Sequence, residues 1–189
     1  MDRLIELARH IDRLTARLGR SVSWLIVAAA VVRAGNAVVR KALNMSSNAW
    51  LEAQWWLFAV AFLLAAPWTL AQNEHIRIDI LNNHFTRWQK SWVEIIGHVF
   101  FLLPTAVLLL YTSSHYFLTS YAQNEQSTNP GGLPQWPIKA MIPLAFALLL
   151  AQGISELIKR IAIMQGRLPE PRASGTHHPA IDELEAHNR

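Results

Sequence analysis

The sequence predicts an all-α integral membrane protein, because four long apolar segments are separated by short polar connections. About 20 mostly apolar residues are needed to cross a bilayer as a helix. The four segments that meet this length are residues 21–43, 50–71, 91–121 and 137–164. Lipid offers the backbone no hydrogen-bond partners, so each segment must be helical. Within 189 residues these helices and their connections leave no room for a separate soluble domain.

Positive charges indicate how the four helices are oriented. Arginine and lysine collect before the first segment, between the second and third, and after the fourth, whereas the other side carries Arg40, Lys41 and Lys139. Because such residues are retained in the cytoplasm, we expect both termini to be cytoplasmic. The high isoelectric point of 9.9 then reflects topology and contact with anionic phospholipid. No basic recognition fold is present, which argues against nucleic-acid binding.

The segments that flank the four spans have distinct patterns. Residues 1–20 repeat apolar side chains at helical spacing, namely Leu4, Leu7, Ile11, Leu14 and Leu18. This pattern predicts an amphipathic helix in the membrane interface; a helix packed on a partner would show the same pattern. Phe85, Trp88 and Trp92 predict a second, short interfacial helix between spans two and three. Residues 166–189, with three prolines and mixed charges, are expected to be disordered.

A few polar and aromatic residues inside the spans are candidates for contacts. Arg33 lies near the middle of the first span, where it could pair with an acid on another helix or extend its side chain to the interface. Glu52 and Glu94 lie near span ends, within reach of headgroups and water. Trp55 and Trp56 are adjacent and cannot share one helix face, so one of them is expected to face protein.

Enzymatic and cofactor chemistry has little support in this sequence. There is no cysteine, hence no thiolate metal site and no covalent haem attachment. His98 and His115 are both on the third span, whereas a transmembrane haem needs ligands from two helices; we expect such a histidine to hydrogen-bond across the bundle. Glu74, His75 and Asp79 lack a second ligand cluster. We therefore predict no catalytic, metal-binding or cofactor-binding residues, and no cofactor.

Two motifs resemble a known family. Glu52-Ala53-Gln54-Trp55 opens the second span, and His75-Ile76-Arg77-Ile78-Asp79 follows it. Together with the Pro-Gly-Gly-Leu-Pro segment at 130–134, they resemble the small membrane subunit (DctQ type) of tripartite ATP-independent periplasmic (TRAP) transporters. The likeness covers roughly residues 20–165 and is nearest to the mannitol/chloroaromatic-like branch, which is thought to carry small organic acids such as 2-oxo acids.

The resemblance implies a non-catalytic scaffold in the bacterial inner membrane, with a DctM-type large membrane subunit and a DctP-type periplasmic substrate-binding protein as partners. Sodium and substrate sites would belong to the large subunit. Residues expected to contact the large subunit or the scaffold are Arg33, Glu52, Trp55, Trp56, Glu74, His75, Arg77 and Asp79. Residues expected to dock the binding protein are Asn48, Gly131, Gly132, Leu133 and Trp136. The alternative hypothesis is a self-contained four-helix transporter or electron carrier.

Overall fold

The computed structural model describes residues 2–43, 47–72 and 86–169, and all regular structure in these ranges is helical. The elements are α1 (Asp2–Leu43), α2 (Asn48–Ala71), α3 (Arg87–Ile96), a π-helical segment (Gly97–Leu102), α4 (Leu103–Ala122) and α5 (Trp136–Met164). Four stretches are long and apolar enough to cross a membrane: α1, α2, residues 91–122 and α5. The predicted all-α membrane fold with four spans is confirmed. Most of the predicted disordered tail, from residue 170 onward, lies outside the described residues.

Helix α1 differs from the expected division at residue 20. It runs without interruption for 42 residues, so the amphipathic segment and the first span form one helix. Its N-terminal half buries Ile5 and Ala8 and contacts α5 through the Ala8 carbonyl and the Asp12 side chain. A location of this half in the membrane interface stays a prediction.

The third span is preceded by a capping box and contains a π-helical segment. The Thr86 hydroxyl accepts a hydrogen bond from the Gln89 backbone N–H, while the Gln89 side chain accepts one from the Thr86 backbone. Helix α3 starts here, where a short interfacial helix was predicted, and it continues directly into the span. Its position in the interface stays a prediction.

The π-helical segment lies directly ahead of Pro104. The Leu103 N–H bonds the carbonyl of His98, five residues earlier. Pro104 has no N–H to offer the carbonyl four residues before it. A wider turn therefore replaces the ordinary α-helical pattern at this point.

Helix α5 is the centre of the packing, because it contacts α1, α2 and α4. The chain forms two antiparallel hairpins, α1–α2 and α4–α5, which meet through α5. Small side chains at the contacts let the helices approach closely; the buried examples include Ala8, Ala29, Ala61, Ala106, Ala145 and Ala162. Gly19 faces the indole of Trp68 so closely that an added Cβ would lie 2.3 Å from Trp68 Cγ.

Large apolar side chains cover the outside of the bundle. Trp24, Trp55, Phe62, Phe101 and Tyr111 each expose more than two thirds of their surface, between 71% and 79%. A protein in water would have to hide such a continuous apolar exterior. The exterior therefore fits a bilayer, and the hairpins define two ends. The loop end carries the end of α1, the start of α2 and residues 122–136, and the terminal end carries the start of α1, the end of α2 and the end of α5.

Candidate functional site

The loop end of the bundle is formed by an ordered connection between α4 and α5. Helix α4 stops in a Schellman motif, in which the Asn124 N–H bonds the Tyr121 carbonyl and the Glu125 N–H bonds the Ser120 carbonyl. Asn124 has a φ of 47°, the left-handed conformation that this motif requires. A second turn follows, where the Gly132 N–H bonds the carbonyl of Asn129 at 3.0 Å. These turns direct the connection back across the bundle toward α2.

Glu52 of α2 holds this connection. Its Oε1 atom accepts hydrogen bonds from the Ser127 hydroxyl and from the Asn129 amide, the latter at 2.9 Å. Its Oε2 atom accepts the backbone N–H of Leu133 at 2.6 Å. Charge-assisted hydrogen bonds of this kind are stronger than neutral ones. One carboxylate therefore fixes three points of a loop that is remote from it in the chain. We call Glu52, Ser127, Asn129 and Leu133 the loop clamp.

The two glycines next to the clamp meet different requirements. Gly131 has a φ of +71°, a conformation that residues with a Cβ adopt with difficulty. At Gly132 an added Cβ would lie 2.5 Å from Ser127 Cβ and 2.7 Å from Glu52 Oε1. The Asn48 side chain adds a hydrogen bond of 2.9 Å to the carbonyl of Pro130. The pair of glycines thus serves the turn and the close approach to Glu52.

The start of α5 is tied to the same loop. The Lys139 ammonium forms an ion pair with Glu125 and lies 4.1 Å from the ring centroid of Tyr116. The hydrogen bond from Lys139 holds the pKa of Glu125 below its usual value. Trp136 packs edge-on against Tyr121, with 5.4 Å between ring centroids. Residues of α4, the connection and α5 therefore form one continuous surface with the clamp.

All five residues predicted to dock a binding protein lie at this loop end. Asn48 and Leu133 take part in its hydrogen bonds, Gly131 and Gly132 shape the turn, and Trp136 anchors the start of α5. The sequence predicted that Glu52 would lie near headgroups or contact a partner. In the structure both of its carboxylate oxygens accept hydrogen bonds from residues of the same chain. A partner contact of Glu52 stays a prediction.

A second polar cluster lies at the terminal end. Asp12 Oδ1 accepts hydrogen bonds from the Gln152 amide and the Ser155 hydroxyl, both at 2.8 Å, and Asp12 Oδ2 pairs with the Lys159 ammonium at 2.9 Å. Lys159 also pairs with Glu156 at 2.7 Å. Gln152 and Ser155 are fully buried. We call these five residues the helix tie, because they join the N-terminal half of α1 to α5.

The helix tie was not predicted from the sequence. Its signal was present: residues 152, 155, 156 and 159 recur at three- and four-residue steps and put polar groups on one face near the end of an apolar span. The pattern could not identify Asp12 as the residue that these polar groups contact, because Asp12 lies at least 140 positions before them in the chain.

Glu94 and His98 lie on the third span beside the tie. Glu94 forms an ion pair with Arg160 of α5, where the sequence suggested a solvated acid. Within the described part of the chain, His98 makes no hydrogen bond across the bundle. Its Nδ1 atom is 2.7 Å from the carbonyl of Glu94 in its own helix. Because a carbonyl only accepts, Nδ1 carries the hydrogen. His98 also lines an open cavity of about 510 Å³ with Leu70, Leu102 and Leu149.

The remaining predicted contact residues divide into two groups. Arg33 is exposed on α1, Trp55 exposes 74% of its surface, and Trp56 is half-buried. The adjacent tryptophans therefore face different surroundings, as their spacing requires. Glu74, His75, Arg77 and Asp79 lie outside the described residues.

The chemistry that these two clusters support is structural. Among the described residues, no group of three or more histidine, cysteine or acidic side chains is arranged to hold a metal ion. In both clusters a carboxylate accepts hydrogen bonds that position other segments of the chain. At the loop end this leaves an ordered polar surface, with Gln126, Thr128 and Gly131 exposed.

Comparison with known families decides between the two hypotheses. Residues 29–162 match the family described as "Tripartite ATP-independent periplasmic transporters, DctQ component". The match covers well over half of the chain. The chain belongs to the DctQ family. Neither the curated proteins nor the solved structures contain a match.

As a DctQ component, the chain is the small membrane subunit of a TRAP transporter and not an enzyme. The four apolar helices agree with a multi-pass membrane protein. The matched residues run from the middle of α1 to the end of α5. They include the loop clamp and the α5 part of the helix tie, whereas Asp12 lies before the matched region.

Proposed function

We propose that this DctQ component is a scaffold for a sodium-coupled transporter of small organic acids, such as 2-oxo acids. It stands beside a DctM-type large subunit, which carries the substrate and sodium sites, and it helps dock a DctP-type periplasmic binding protein. Family membership supports the pair of partners. The substrate class and the sodium coupling follow only from the likeness to the mannitol/chloroaromatic-like branch.

The loop clamp is the observation that carries the docking role. A loop that must order itself on binding loses conformational entropy at that moment, which weakens the complex. Here Glu52 has already fixed the connection through Ser127, Asn129 and Leu133. The exposed positions of this loop therefore offer a binding protein a surface that is organised in advance.

The proposed orientation places this surface in the periplasm. Arg3, Arg9, Arg13, Arg17 and Arg20 lie in the N-terminal half of α1, and Lys159, Arg160 and Arg167 lie at or after the end of α5. The positive-inside tendency puts this terminal end in the cytoplasm of a bacterium, with the protein in the inner membrane. The loop end then faces the compartment in which a periplasmic binding protein diffuses.

The test is transport by the complete reconstituted transporter with altered loops. Deleting Gly131 and Gly132, or introducing Leu133→Asp, should strongly reduce uptake and binding of the periplasmic protein, because each change disrupts the connection at Glu52. The amount of DctQ component in the membrane should not change. Gln165→Asp is the control, since it adds the same charge at an exposed position of the opposite end. Normal uptake with the deleted loop would remove this surface from the docking role.

A second experiment tests whether the segment that follows α2 contacts the large subunit. Glu74, His75, Arg77 and Asp79 are proposed to join this connection to the large subunit. Substituting both Arg77 and Asp79 with alanine should lower the amount of large subunit that co-purifies. Unchanged co-purification would argue against that role.

A further inference from the structure

Arg33 is placed deep in the apolar part of α1. In one direction the apolar stretch ends before Arg40, which lies about 10 Å beyond Arg33 at a rise of 1.5 Å per residue. In the other direction the apolar stretch begins near Ser21, about 18 Å away by the same rise. A charge at this position lies within the apolar part of the span, and such residues are typically paired.

The charged residues of α2, of the third span and of α5 have partners inside the chain. Glu52 holds the loop, Lys139 pairs with Glu125, Glu156 pairs with Lys159, and Glu94 pairs with Arg160. In the described part of the chain, the Arg33 guanidinium has neither an ion pair nor a hydrogen bond, and its side chain is exposed. Its partner must therefore be sought outside the described residues.

The exposed surface of α1 around Arg33 has two faces of different character. Trp24, Val27, Val31 and Val38 form a face of large apolar side chains, each more than half exposed, which suits lipid tails. Ile26, Ala30, Arg33 and Ala37 recur at four- and three-residue steps and form the other face, and all four are exposed. Small side chains on both sides of Arg33 let a second helix approach its guanidinium closely.

The direction of the side chain argues against escape to the nearer interface. In an α-helix the Cα–Cβ bond tilts toward the N-terminus. The first bond of the Arg33 side chain therefore points toward the terminal end, along the longer of the two paths to water. Snorkelling is cheapest when the side chain leaves the helix toward the nearby interface.

We propose that the Ile26–Ala37 face of α1 binds a transmembrane helix of the large subunit, and that an aspartate or glutamate on that helix pairs with Arg33. The proposal rests on the proposed function, which supplies this partner. A second copy of the chain fits less well, because the span carboxylates of Glu52, Glu94 and Glu156 already have partners. A carboxylate matches the two-pronged hydrogen-bonding geometry of arginine.

Because the chain has no cysteine, single cysteines can test the geometry in the assembled transporter. Ala30→Cys and Ala37→Cys place a photoreactive maleimide on the proposed face. Val31→Cys and Val38→Cys place it on the apolar face at the same depths. We expect crosslinks to the large subunit from positions 30 and 37, and lipid adducts from 31 and 38. Crosslinks to the large subunit confined to 31 and 38, or a crosslinked homodimer from 30 and 37, would overturn the proposal.

Substitution of Arg33 tests the charge. Arg33→Leu should reduce the large subunit retained in detergent about three- to tenfold, the range expected for loss of a polar contact between membrane helices. The Arg33→Lys variant should retain part of the large subunit. The Arg40→Leu variant, changed near the end of α1, should retain as much large subunit as the unaltered chain. Arg33→Glu should be rescued by arginine at one intramembrane acid of the large subunit.

These outcomes separate the inference from the function on which it rests. If the unaltered chain does not retain the large subunit, the proposed scaffold role fails. If the unaltered chain retains it and Arg33→Leu does so equally well, the scaffold role stands. The proposed salt bridge is then refuted, and the Arg33 side chain instead extends to the membrane interface without a protein partner.

Discussion

At each end of this bundle one carboxylate accepts several hydrogen bonds, but the two carboxylates bind different kinds of structure. At the loop end, Glu52 accepts hydrogen bonds from a loop, including a backbone N–H. At the terminal end, Asp12 accepts them from side chains of another helix, Gln152, Ser155 and Lys159. The first arrangement shapes a surface, whereas the second joins two helices.

This difference separates stability from recognition within one small protein. Helix contacts at the terminal end contribute to the free energy of unfolding of the whole bundle. The loop clamp orders a connection at the edge of the bundle, outside the packing of the helices, so its loss should change local order and binding more than global stability. Substitutions at the two ends should therefore affect different measurements.

The largest effect on stability is expected at Gly19, in the terminal half of α1. Gly19→Ala puts a Cβ within 2.6 Å of Trp68 Cβ, an atom that no rotamer change can move. Helices α1 and α2 must separate, at about 1–3 kcal/mol in the free energy of unfolding. Gly35→Ala in the same helix is the control, because nothing lies within 4 Å of its added Cβ. Thermal unfolding in detergent compares the two, and equal melting temperatures would contradict the close contact.

A smaller loss of stability is expected at Asp12. Asp12→Ala removes an acceptor that Gln152, Ser155 and Lys159 share. Each of these donors keeps a second partner, because Glu156 still accepts from Gln152 and Lys159, and the Ala8 carbonyl still accepts from Ser155. The expected loss is therefore about 1–2 kcal/mol in the free energy of unfolding.

Thermal unfolding in detergent also checks the Asp12 variant, and its uptake per folded complex should not change. A variant that unfolds normally but loses uptake would show that the helix tie has a role beyond stability.

Substitution of Glu52 in the loop clamp should reduce binding of the periplasmic protein more than it reduces stability. Glu52→Gln keeps the size of the side chain but replaces one acceptor oxygen with a donor, so the Leu133 N–H and the Ser127 and Asn129 donors cannot all be satisfied. We expect a small change in melting temperature, faster proteolysis within residues 123–135, and several-fold lower binding of the periplasmic protein. Gln126→Glu, at an exposed position of the same loop, controls for local charge. A large drop in melting temperature would remove the distinction between the two ends.

The smallest effect is expected from pH at Glu125. The folded pKa of this carboxyl is lowered by the hydrogen bond from Lys139, so its stabilising contribution is present above the unfolded pKa of about 4.3. It is lost as the pH falls from there through the lower folded pKa. Proteolysis of the loop by an acid-stable protease should therefore increase below about pH 4. Glu125→Gln should remove that part of the pH dependence, and an identical profile in both proteins would contradict it.

Much of the fold could be predicted, because apolar length is a local property of the sequence. The second and fourth spans were predicted at residues 50–71 and 137–164, and the helices are Asn48–Ala71 and Trp136–Met164. The continuity of α1 across residue 20 was not predicted. Its amphipathic half and its apolar half differ in composition, and a change in composition does not require a break in the backbone.

The candidate site was predicted only in part. Asn48, Gly131, Gly132, Leu133 and Trp136 were grouped because turn residues and an interfacial tryptophan mark one end of the spans. The role of Glu52 was missed, since its bond to Leu133 joins residues 81 positions apart. A carboxylate near a span end has the same local pattern whether it faces water or holds a loop.

By itself, the sequence determined that four apolar helices cross a membrane, which end gathers the positive charges, and which family the chain belongs to. These properties depend on composition and on short motifs. The tertiary structure decided which acids hold which segments and that Arg33 has no partner among the described residues. Those outcomes depend on distances between residues that are remote in the chain, and only the packing of the helices around α5 sets them.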